Sequence, residues 1–156
     1  MREMRRTDRL LTEEEAYEIL EKAEYGILST VCEDGTPYAV PMSYGMEDGA
    51  IYMHCTIAGG QKIDNLRHDS RACFTAVSDT RVMPEKYGTL YRSAMAFGNV
   101  EILEERDEKR VGLLAILKKY SADYMEGGIK YMEASLDKVY ILRMKIDRVS
   151  GKGRKK

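Results

Sequence analysis

Tryptophan is absent from this chain of 156 residues, and it holds only two phenylalanines, two histidines, three prolines and three cysteines. Each shortage removes a class of explanation. Cys32, Cys55 and Cys73 are odd in number and lack Cys-x-x-Cys spacing, which argues against a disulfide framework or a zinc site. His54 and His68 stand fourteen residues apart and suggest no metal pair. No Gly-x-x-x-x-Gly-Lys-Ser/Thr loop occurs, so an adenine-type P-loop is excluded. No Gly-x-Ser-x-Gly elbow positions a serine nucleophile, and no glycine motif for NAD is evident. No apolar run reaches the roughly 20 residues that span a bilayer. The basic start, MREMRRTDR, is not followed by the apolar stretch of a signal peptide. No membrane partner and a cytoplasmic location are therefore expected. A net charge of −1 gives no general reason for a nucleic-acid partner. Basic residues gather at the ends: Arg2, Arg5, Arg6 and Arg9 in an arm (1–10), and Lys152, Arg154, Lys155 and Lys156 in a tail (150–156). Both read as flexible, solvated ends of a single domain covering 1–156.

What is present is patterned. Thr12-Glu-Glu-Glu15 is a capping box, and Ala16, Ile19, Leu20 and Ala23 follow at helical spacing, which predicts a helix over 12–24. From Gly26 the period changes to two. Strands are predicted at 26–32 and 37–45, split by Asp34-Gly35, then at 50–55 after Asp48-Gly49. Further strands follow at 71–78 and 138–147, and 88–104 reads as one long strand or a bent pair, with Gly98 as a bulge or kink. A loop is expected at 79–87. Helices are expected at 59–66, 107–120 and 129–135. Hairpin-linked strands with scattered helices make an all-β barrel or an α+β domain, not a parallel α/β sheet.

The most informative stretch is Ile51 to Arg67, IYMHCTIAGGQKIDNLR. It delivers His54 and Thr56 to a strand end, turns at Gly59-Gly60, and opens a short helix with Gln61 and Lys62. A hydroxyl, a glycine-freed backbone, a helix N-terminus and a lysine are what a phosphate needs. His54 is either a structural hydrogen-bonding residue or a proton donor beside that turn. Cys55, next to it, is the cysteine with a route to reactivity. Pro41 interrupts a regular strand. It marks either an edge strand or a ladder broken so that the main chain of Val40, Met42 and Ser43 can meet a planar ligand. Alternation sends Ala39, Pro41 and Ser43 one way, and Tyr38, Val40, Met42 and Tyr44 the other. Arg92 either clamps a phosphate or pairs with a surface acid, and alternation sets it opposite Tyr91 and Ser93.

The order of MRRTDR, YGILSTVCEDGTPYAVPMSY, IYMHCTIAGGQKIDNLR, RACFTAV and YRSAMAFGNVEIL, then EKR and a helix ending KKY, resembles the FMN-binding split-barrel family. This is the pyridoxamine 5′-phosphate oxidase-like group, and the likeness is greatest to its nitroimidazole-resistance reductase branch. The resemblance implies a mainly β protein, a six-stranded antiparallel split barrel with helices. It also implies a homodimer holding FMN between subunits and acting on a small molecule. Carried over by motif, Val40, Pro41, Met42 and Ser43 run along the flavin, and Thr56, Gln61 and Lys62 contact the phosphate. His54 lies near the cofactor as the catalytic candidate, and Tyr91, Arg92 and Ser93 lie near the dimer interface. No metal ligand is implied. The pyridoxal phosphate-binding arginines of true pyridoxamine phosphate oxidases are not identifiable. The expected function is therefore an FMN-dependent oxidoreductase of a small, nitroaromatic-like molecule, with a non-catalytic flavin-binding sensor or store as the alternative.

Overall fold

A computed structural model describes residues 4–154, so Arg2, Lys155 and Lys156 of the expected basic ends lie outside the described residues. The chain begins with a two-residue strand, β1 (Leu10–Leu11), and then helix α1 (Glu13–Lys22). The capping box is formed: Thr12 Oγ1 accepts from Glu15 N at 3.1 Å, and Glu15 Oε2 accepts from Thr12 N at 3.0 Å. Two hairpins follow, β2 (Gly26–Val31) with β3 (Pro37–Met42), and β4 (Tyr44–Glu47) with β5 (Ala50–Thr56). The second turn has positive φ at both Asp48 (49°) and Gly49 (72°), the backbone that Asp-Gly adopts most cheaply. Helix α2 (Gln61–His68) leads to the long strands β6 (Arg71–Met83) and β7 (Gly88–Leu103), and helices α3 (Arg106–Tyr120) and α4 (Met125–Ser135) precede β8 (Val139–Arg154).

All pairings are antiparallel, in the order β3-β2-β6-β7-β8-β5-β4, with β1 on β8. The terminal strands of this order, β3 and β4, are consecutive in the chain and separated by Ser43 alone. The sheet must therefore curl until its two ends meet at that residue, which makes a barrel with a seam. Leu28, Tyr44, Ile51, Met53, Phe74, Leu142 and Met144 fill its interior, closed by Ala16, Ile19 and Leu20 of α1 and by Ile63 and Leu66 of α2. A second cluster, Ala50, Tyr52, Leu103, Ala115 and Ile141, joins the outer face of β5 and β8 to α3. That double layer explains why neighbouring Ile141 and Leu142 are both fully buried.

The mainly β split barrel is as expected, but it has eight strands rather than six. The single strand expected over 37–45 divides at Ser43, and Leu10–Leu11 adds a short strand against β8. The tail is the larger difference. Residues 150–154 continue β8 and pair with β7 instead of forming a solvated end. Strand β6 likewise runs past the expected loop start to Met83, with a register shift between Ser78 and Arg81. Gly98 does sit at a bulge, where the β7–β8 register shifts between Phe97 and Gly98. A Cβ there would fall 1.8 Å from the Lys145 carbonyl oxygen. Helix α4 starts four residues earlier than expected, at Met125.

At Gly45 on β4, a Cβ would stand 2.4 Å from the main-chain carbon of Ala115 in α3. Backbone cannot swing aside, so Gly45→Ala should lower stability by about 1–3 kcal/mol. Gly127 has nothing within 4 Å of its Cβ position and lies within α4. Gly127→Ala should therefore raise stability by about 0.5–1 kcal/mol. Urea denaturation of both variants checks the two signs.

Candidate functional site

The seam has two unpaired edges that start from one corner. Among the described residues strand β3 is bonded to β2 alone, and β4 covers β5 only from Ala50 to Met53. His54, Cys55 and Thr56 thus run beyond β4 with β8 as their one strand partner. Pro41 is tolerated because its missing N–H falls on a strand with a free side. The expected alternation on this strand holds. Ala39, Pro41 and Ser43 are exposed, while Tyr38 and Val40 are half-buried and Met42 and Tyr44 are buried. The free edge from Pro37 to Met42 is about 17 Å long.

Beyond Thr56 the chain makes a tight turn in which Gly59 N donates to Thr56 O at 3.0 Å. Gly59 has φ +77° and Gly60 φ +115°, conformations that side chains other than glycine rarely adopt. Gly60 is the N-cap of α2, and no side chain caps that end. A Cβ at Gly60 would meet nothing within 4 Å, so the space before the helix is open. Lys62 is half-buried and holds no ion pair among the described residues. The opening offers a phosphate N–H groups and an ammonium without an ion pair, with Asp64 in the same first turn and Glu33 and Asp34 on the groove wall facing Gln61 as the nearby acids.

Helix α2 is anchored from beneath. Asn65, 1% exposed, donates to Thr30 Oγ1 at 2.9 Å and accepts from Gln61 Nε2 at 2.7 Å. Gln61 is thereby held over a groove of about 470 Å3 whose far wall is the β2–β3 turn, Cys32 to Thr36. This contact sets the start of α2 beside the start of the free β3 edge. Asn65 is a functional support that inspection of the motif alone did not single out. Its i,i+4 spacing from Gln61 was the available signal.

The expected site residues do not all share one face. Thr56 and His54 open on a second cavity, of about 410 Å3, beneath α3 and α4. Lys62 lies on the Cys55 side of β5, where its charge opposes the upward push that burial gives the Cys55 thiol. Burial wins, which leaves the thiol protonated and weakens the reactive reading of Cys55. Desolvation also lowers the pKa of His54, so its imidazole is neutral at pH 7. Tyr91, Arg92 and Ser93 are distant along the sheet. Arg92 pairs with Gly153 and Thr56 with Val139, fourteen residues apart on β8. Arg92 is held by acids, with Glu18 at 3.5 Å and Glu15 and Asp79 at 3.9 Å. Ser93 Oγ donates to Lys152 O at 3.1 Å. No cluster of three or more metal-ligating side chains occurs among the described residues, and among them no helix is long and apolar enough to cross a membrane.

Two measurements test this geometry. Asn65→Ala strands the buried Thr30 hydroxyl and should cost about 1–3 kcal/mol in urea denaturation. The His54 ring should titrate below the ordinary 6.5 by proton NMR. Between that lowered value and 6.5 the unfolded chain binds the extra proton, so the His54 contribution to stability falls as pH drops through this window. A His54→Gln variant should lose that slope.

The model of the pyridoxamine 5′-phosphate oxidase family matches residues 12–153. Solved structures share the fold. A candidate 5-nitroimidazole antibiotic resistance protein from Bacteroides thetaiotaomicron is 26% identical with a TM-score of 0.79, over 92% of this chain and 86% of that one. A conserved hypothetical protein from Mycobacterium tuberculosis is 24% identical with a TM-score of 0.80, over 96% and 90%. A FAD-binding protein from Mesorhizobium loti is 22% identical with a TM-score of 0.69, over 94% and 98%. Among curated proteins none matches. With the split barrel, the seam and a family match running from the α1 cap to the end of β8, the chain belongs to the pyridoxamine 5′-phosphate oxidase family.

Proposed function

We propose that this protein is a cytoplasmic flavoprotein that binds FMN at the barrel seam and transfers electrons to or from a small molecule, nitroaromatic compounds included. The observation that carries the reading is the uncapped, glycine-led start of α2 with unpaired Lys62, set beside the free edge of β3. A bound flavin would supply one- and two-electron transfer. Lys62 and the α2 N–H groups hold the phosphate, with Gln61 alongside, while Thr56, expected at the same site, faces the cavity beneath α3 and α4 instead. The main chain of Val40 to Ser43 offers the ring a flat edge with unspent hydrogen-bonding groups. His54, the expected catalytic residue, faces the cavity beneath α3 and α4 and not the Lys62 corner, so this geometry gives it no contact with the phosphate. The names of two similar proteins support the reading, one tied to 5-nitroimidazole resistance and one to FAD.

The reading includes a homodimer with the flavin between subunits. Tyr91, Arg92 and Ser93 lie on β7, far along the sheet from the seam of their own subunit, and in this reading they lie near the subunit interface. Val77 and Met95 are exposed near them on β6 and β7, as are Val82 and Tyr87 at the hairpin end, an apolar surface suited to a second copy.

Lys62→Ala should weaken FMN binding about 10- to 100-fold, the loss of a charge-assisted contact, while the melting temperature of the flavin-free protein stays unchanged. Unaltered FMN affinity in that variant removes the assignment. Reduction of the FMN-loaded protein by NADH or NADPH, then reoxidation by a nitroimidazole, separates an enzyme from a non-catalytic flavin carrier. Val77→Lys with Met95→Lys should convert a dimer to a monomer in sedimentation and lower flavin retention with it.

A further inference from the structure

The cavity on the outer face of β5 is unlike the seam. It holds about 410 Å3 between the sheet, α3 and α4, within the range of small-molecule sites. Leu117, Met132 and Val139 are among its walls, and His54 and Thr56 face it from the end of β5. Helix α4 covers it lightly, since Met132 is the one buried residue of that helix. The two helices close tightly at Gly128, where a Cβ would stand 2.4 Å from Leu117 Cδ1. Farther along α4, Ser135 turns its hydroxyl onto Tyr131 O at 2.8 Å, so it presents little polarity to the space.

The charges in this cavity are one-sided. Among the described residues no carboxylate lines it, and the one formal charge among its lining residues is Lys138. Lys138 has no ion pair among the described residues. The neighbouring acid, Asp137, is taken by Arg106. His54 and Thr56 add neutral hydrogen-bonding groups to the same wall. An apolar chamber with a single unspent cation fits an apolar body carrying one negative end.

We propose that this cavity is a binding site for a flat aromatic carboxylate, its acid group paired with Lys138 and its ring enclosed between Leu117, Met132 and Val139. The site is distinct from the phosphate corner at Lys62, and it does not rest on the flavin reading.

Calorimetric titration of the full chain, with and without FMN, tests this with 2-naphthoate and its neutral counterpart 2-naphthamide. One 2-naphthoate should bind per chain, about tenfold more tightly than the amide, the worth of a charge-assisted contact. Lys138→Gln should erase the preference for the acid, and Ser135→Trp, which fills the chamber, should abolish both titrations. Should Ser135→Trp not fold, Lys138→Gln at an exposed position still decides the matter. Lys62→Ala should leave naphthoate binding intact whether or not it alters FMN affinity, which keeps the two assignments separate. No binding, equal affinity for acid and amide, or displacement of naphthoate by one equivalent of FMN would overturn the proposal.

Discussion

Tyr44 has no exposed surface, and its parts are engaged by α1, α3 and β6. Its hydroxyl donates to the Leu20 carbonyl of α1, and its N–H donates to the Tyr120 hydroxyl of α3 at 3.1 Å. Tyr120 in turn donates to Glu24 O at 2.6 Å. The Tyr44 ring meets Phe74 edge-on at 4.7 Å, and Lys119 Nζ stands 3.5 Å from its centroid. Burial lowers the Lys119 pKa to about 8, while the ring face and the Leu20 carbonyl favour its charge. These contacts fix the first residue after Ser43. Since Ser43 is where the two ends of the sheet meet, they also fix how far the seam opens.

The corner so defined divides β5 between two environments. Up to Met53 the strand is covered by β4 and belongs to the barrel. From His54 onward its side chains alternate between the Lys62 side and the chamber beneath α3 and α4. A three-residue overhang is thus enough to give one strand end two separate open surfaces. The anchoring of α2 through Asn65 and Thr30 keeps the first of these in register with the free β3 edge.

Local chemistry was legible in the sequence and distant chemistry was not. The Thr12 cap, both Asp-Gly turns, the Gly98 bulge and the Gly59-Gly60 turn each announce themselves within a few residues, and each is found. The break at Ser43 is invisible locally, because strand alternation continues across it and only the closure of the sheet reveals it. The end of β8 was hidden for another reason. Gly151 and Gly153 carry no side chains to show a period of two, yet both are buried, with Cβ positions 2.9 Å from Leu11 Cβ and 3.2 Å from the Tyr91 carbonyl oxygen. Gly127-Gly128 likewise masked the first turn of α4. The pairing of Arg92 with Glu15 and Glu18 and the chamber that brings α3 and α4 to His54 join residues more than fifty positions apart, which no motif reports.

The pairing of β1 with the end of β8 has a topological consequence. Leu10 lies opposite Lys152 and Leu11 opposite Gly151, so both ends of the domain leave it side by side. A short peptide bridge could join them. The chain could then be reopened at the exposed Asp34-Gly35 turn, yielding a circular permutant whose strand order in space is unaltered.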